Sequence, residues 1–85
     1  MLIKDDVARR LQDEIDGAAK RFGQQSSPEE VYGVLYEEMG EMLDAIRKHN
    51  FAQARTEAIQ IAAVALRFAQ DATRHEVDGA YSGRA

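Results

Sequence analysis

The chain has 85 residues, no cysteine, and a net charge of −4 from 15 Asp and Glu against 11 Lys and Arg. This length fits one small domain whose thin core favours association with further copies. Without cysteine there is neither a disulfide framework nor a cysteine-ligated zinc site, and the acidic balance argues against a partner that is a nucleic-acid polymer.

The N-terminal MLIKDDVARR lacks the apolar run of a signal peptide, and no stretch approaches the roughly 18 apolar residues of a membrane span. The expectation is a soluble, cytoplasmic protein with no membrane partner. The spacing predicts a first helix from about Lys4 to Arg21, with Val7, Leu11, Ile15, Ala18, Ala19 and Phe22 on one face. Gly23 is its stop, and GQQSS a short polar loop. The second helix opens on SPEE. Ser27 caps it, Pro28 takes the first helical position, and Glu30 completes a capping box. It is expected to run to about Lys48, where Arg47, Lys48 and His49 suit the negative helix end.

A tight connection at Asn50 leads into a third helix, roughly Phe51 to Arg74. Ala54, Ala58, Ile61, Ala62, Val64, Ala65, Leu66, Phe68 and Ala69 cover most of its circumference. A helix apolar nearly all round must be buried on several sides, more than two other helices supply. It is therefore expected at the centre of a dimer or higher bundle. Short connections imply antiparallel neighbours. The predicted fold is all-α: an antiparallel bundle of three main helices over residues 1–75, completed by oligomerisation into a dimer or tetramer. Residues 76–85, which end in DGAYSGRA, are expected to form a flexible or partner-docking tail.

The second helix carries an anomaly. Val31, Val34, Leu35, Met39, Met42, Ala45 and Ile46 form a wide apolar arc, and Glu38 falls inside it. Glu41 lies at the edge of the arc, one turn later, while Glu37 and Asp44 point further toward solvent. Two carboxylates side by side at the rim of a core repel, and a divalent cation removes the conflict. On the third helix, Glu57 is the one charged member of a stripe with Ile61, Val64 and Phe68, and Gln60 follows three residues later.

In EEMGE (Glu37–Glu41) and TEAIQ (Thr56–Gln60) the chain resembles the MazG-like all-α nucleoside triphosphate pyrophosphohydrolases, whose motif is E-x-x-E on one helix and E-x-x-D on the next. Glu38 and Glu41 match the first pair and Glu57 the third acid. Gln60 stands where that family usually has Asp. The resemblance covers about Phe22 to Asp71 and takes in the KRFGQQ segment ahead of the proline-led helix.

The resemblance implies a helical dimer or tetramer, with sites lined by more than one subunit, that hydrolyses nucleoside triphosphates to the monophosphate and pyrophosphate with Mg²⁺, or Mn²⁺ in its place. By carry-over, Glu38, Glu41 and Glu57 are metal ligands with Gln60 beside them, and Glu38 or Glu41 also orients the attacking water. A neutral Gln60 supplies an oxygen but no charge, which leaves either a working enzyme with weaker metal affinity or a catalytically weakened relative. Lys20, Phe22 and Lys48 are the substrate-binding candidates, followed by Arg21, Tyr36 and Arg47, with His49 read as a helix-end residue. A related enzyme acting on a phosphoribosyl-nucleotide, and a helical oligomerisation or adaptor module with structural acids, are the alternatives.

Overall fold

The structure, a computed structural model, describes residues 2–22 and 27–77; the side chains at 18–22 and 73–77 are outside the description. The Gly23 stop, most of the GQQSS loop, the side chains of Lys20, Arg21 and Phe22, and the DGAYSGRA tail therefore lie outside the described residues. The rest is all-helical: α1 spans Asp5–Phe22, α2 Pro28–Arg47 and α3 Phe51–Val77, with no strand among the described residues.

The three helix starts and the end of α2 have local causes. In α1, Asp5 and Asp6 place negative charge at the positive helix end. The α2 start is a complete capping box. The Glu30 amide donates to Ser27 Oγ at 3.1 Å, and the Ser27 amide donates to Glu30 Oε1 at 2.8 Å. Ser27→Ala is expected to cost about 1 kcal/mol of unfolding free energy, read from the urea midpoint at unchanged slope.

Three residues, 48–50, connect α2 to α3. The Asn50 amide reaches the Ala45 carbonyl at 2.8 Å and the His49 amide the Ile46 carbonyl at 3.0 Å, closing the end of α2. His49 sits at φ 59°, the left-handed conformation that glycine usually fills, and its ring stacks on Phe51 with centroids 5.7 Å apart. Asn50 Oδ1 then accepts from the Gln53 amide at 3.2 Å and caps α3.

Helix α3 packs against both other helices, and α1 and α2 do not touch each other among the described residues. The buried core is small: Ala45 of α2 with Ala54, Ile59, Ala63 and Val64 of α3. Val7 and Leu11 of α1 flank Ala58, Ile59 and Ala62. Beside that seam, Arg10 donates to Thr56 Oγ1 at 3.0 Å and Arg55 pairs with Asp6 at 2.5 Å. The Arg55 guanidinium holds the Asp6 carboxyl below the usual carboxylate range. Both partners are largely exposed, so the pair orients α1 more than it stabilises it.

Two packing expectations change. The apolar arc of α2 is divided: Val31, Val34, Leu35, Met42 and Ala45 are wholly or partly buried, but Met39 and Ile46 are exposed. A helix pressed on one neighbour covers only part of its circumference, and among the described residues α3 is the sole neighbour of α2. Likewise α3 buries two strips and leaves Ala58, Ala62, Ala65, Leu66, Phe68 and Ala69 exposed. Among the described residues no helix is long and apolar enough to cross a membrane.

Candidate functional site

Glu57 stands in the second turn of α3 and is only 6% exposed. A carboxylate in that position is costly unless its oxygens are satisfied. One of them is: Gln53, four residues earlier on the same helix face, donates its Nε2 to Glu57 Oε2 at 2.6 Å. The other, Oε1, is enclosed and meets no hydrogen-bond donor.

What faces Glu57 is another acid. Glu41 projects from α2 with its carboxyl against that of Glu57, and both line a groove of about 390 Å³. Asp44 and Lys48, one and two turns further along α2, line the same groove, with Ala45, Asn50 and Gln53 completing it. The short connection makes this possible, because it sets the last turns of α2 beside the first turns of α3.

The electrostatics follow from the geometry. Repulsion from Glu57 pushes the Glu41 carboxyl above its usual pKa; desolvation adds to this, then a proton shared with Glu57, then the charges of Glu37 and Asp44. A carboxyl whose pKa is raised on folding holds its proton more tightly in the folded state than in the unfolded one. Stability therefore falls as pH rises from the unfolded value through the raised folded value, and the full penalty is present above both. Glu41→Gln is expected to flatten this pH dependence and to raise the melting temperature of the metal-free protein at neutral pH. Thermal melts of both proteins across the acid-to-neutral range check it.

The other residues of interest distribute as follows. Glu38, one turn before Glu41, is half-buried with its Oε1 enclosed, but it does not line the groove. Gln60, one turn after Glu57, is also half-buried and outside the lining. The structure thus brings Glu41, Glu57 and Lys48 to one place and leaves Glu38 and Gln60 beside it. Arg47 and His49 are exposed at the end of α2. Tyr36 is exposed and stacks on Tyr32, with ring centroids 6.4 Å apart. Sequence reasoning missed Gln53 as the residue that fixes Glu57; its spacing of four from Glu57 was the available signal. It also missed Asp44 as a groove residue, because position on the helix wheel says nothing about what the next helix brings opposite.

Among the described residues, no three His, Cys, Asp or Glu side chains converge into a ready-made metal cage. Mg²⁺ does not require one. It is commonly held by one or two carboxylates and keeps water and substrate phosphates in its other positions. An enclosed oxygen without a donor, facing a second carboxylate that repels it, is a donor set that fits such a cation. No protein-family model, curated protein or solved structure matches this chain.

Proposed function

We propose that the chain is a Mg²⁺-dependent nucleotide pyrophosphohydrolase that converts (d)NTPs to (d)NMPs and pyrophosphate. In this reading the helices form an antiparallel bundle completed by further copies into a dimer or tetramer. The observation that carries it is the Glu41–Glu57 carboxylate pair, in which a buried oxygen has no donor and the flanking groove holds a lysine.

Glu41 and Glu57 would hold the ion, which when bound neutralises phosphate charge and acidifies its water. Gln53 fixes the Glu57 carboxylate by engaging Oε2, which leaves Oε1 without a donor. Lys48, two turns from Glu41 in the lining of the same groove, meets phosphate oxygens as a point charge. Glu41, which lines the groove, or Glu38, enclosed one turn away and outside the lining, would orient the water whose addition across the α–β phosphoanhydride releases pyrophosphate. Gln60 adjoins the set as a neutral oxygen donor. Positioning and charge stabilisation are what such a site contributes, and these suffice for phosphoryl chemistry.

The second reading is a helical oligomerisation or adaptor module with structural acids, favoured by the lack of a converged three-ligand cage among the described residues. A structural buried acid would be expected to face a cation, whereas Glu57 faces Glu41. Pyrophosphate release from a panel of canonical and modified nucleotides, with Mg²⁺ or with chelator, separates the two. Metal-dependent release supports the enzyme; no release from any nucleotide, with the protein folded, supports the module.

A further inference from the structure

Helix α2 shows solvent a second apolar face that no described residue covers. Tyr32, Tyr36, Met39, Leu43 and Ile46 recur at alternating spacings of four and three and are all exposed, the two tyrosines at 69%. This is the 3.5-residue period of a helix–helix seam rather than scattered surface apolarity. Glu41 lies two residues from both Met39 and Leu43, about 200° round the helix. The seam and the carboxylate groove are therefore on different sides of α2.

A second observation lies at the edge of this face, about 90° from its centre line. Gly33 and Gly40 are seven residues apart, one beside Tyr32 and the other beside Met39. Both are inside α2, where glycine costs stability relative to alanine, and a Cβ at either would meet nothing within 4 Å in the single chain. Neither the backbone nor intrachain packing asks for glycine there. Close approach of another helix does.

We infer that this face is where a second copy of the chain docks, α2 against α2, with the two helices antiparallel. Charge decides the orientation. The first turn of α2 carries Glu29 and its last turn Arg47, each about 60° from the centre line of the apolar face. Antiparallel pairing sets the acidic end of one helix beside the basic end of the other and opposes their dipoles, while parallel pairing stacks like on like. Size decides between this face and the exposed alanines of α3. The four tyrosines of a dimer supply on the order of 500 Å² of the roughly 1,200 Å² that a stable interface needs, and Met39, Leu43 and Ile46 add to it. Alanines bury far less.

The inference rests on the oligomeric part of the proposed function and not on its chemistry, so loss of turnover in glutamate variants leaves it standing. The test is sedimentation equilibrium of the full chain, with circular dichroism to confirm helicity. Wild type is expected at twice the chain mass, and Leu43→Glu and Tyr36→Glu at the single-chain mass. Tyr36 is mostly in solvent in the single chain, so its variant guards against a simple folding failure. Ala65→Glu on α3 is expected to leave the mass doubled.

Because the chain lacks cysteine, Glu29→Cys accepts a single spin label. Antiparallel helices then place the two labels close to 30 Å apart, the length of a 20-residue helix. A monomeric wild type, or dissociation by Ala65→Glu but not by Leu43→Glu or Tyr36→Glu, overturns the surface. Labels about 10 Å apart, the spacing of neighbouring helices, overturn the orientation.

Discussion

Glu41→Gln and Glu57→Gln are each expected to lower Mg²⁺-dependent pyrophosphate release by roughly 10²–10³-fold, the loss typical when one charge-stabilising group is removed. Glu38→Gln is expected to fall in the same range if the enclosed carboxylate one turn away orients the water. Both groove substitutions keep side-chain shape and remove one of two repelling charges, so the helical content and oligomer mass should persist. That separates chemistry from folding: a dead enzyme with an intact or raised melting temperature has lost ligands, not structure. Gln53→Leu should be milder, about 10–100-fold, because it releases Glu57 Oε2 without removing the carboxylate. Steady-state kinetics across a range of Mg²⁺ concentrations reads all four. Turnover in Glu41→Gln equal to that of wild type would remove Glu41 from the site.

Ile59→Ala is expected to destabilise the chain by about 3 kcal/mol, within the usual range for emptying a buried isoleucine site. Against a total on the order of 5–10 kcal/mol for a domain of this size, that is a large fraction. Ile59 is 5% exposed and sits in the seam with Val7 and Leu11, and among the described residues α1 has no contact with α2 to fall back on. The damage should therefore be local first. Amide exchange in α1 is expected to accelerate more than in the α2–α3 connection, and urea unfolding should move to a lower midpoint. Equal acceleration in all three helices would mean that α1 is held by something other than this seam.

The helix starts and the end of α2 were legible because their causes are local, whereas α3 runs to Val77, past the expected Arg74. The Ser27–Glu30 box, Pro28 and the basic end of α2 lie within a few residues of the boundaries they set. The buried face of α3 was not legible. On a helix with alanine on nearly every side, periodicity has little contrast, and Ile59 and Ala63, two of the best-buried residues, were passed over for less buried residues such as Leu66 and Phe68. The α2 arc failed for the opposite reason. Its apolar surface is wide enough for two partners, and a wheel drawn from one chain assigns all of it to one core, as it did for Met39 and Ile46.

The candidate site shows the same division. That Glu57 shares a stripe with core residues follows from spacing alone, and it is buried. That it meets Glu41 rather than Glu38 within the groove depends on how far α3 slides along α2, which the turn at His49 and Asn50 decides. Gln53 acquires its role only when Glu57 is buried, so its importance is a consequence of packing.

The claim on which the functional reading stands is that Glu41 and Glu57 together bind a divalent cation. Titrating the metal-free protein with Mn²⁺, and following the loss of the free-ion paramagnetic resonance signal, measures that directly without any substrate. The account predicts saturable binding that Mg²⁺ displaces, lost in Glu41→Gln and in Glu57→Gln. Binding unchanged in both variants, or no binding by a folded wild-type chain, would contradict it.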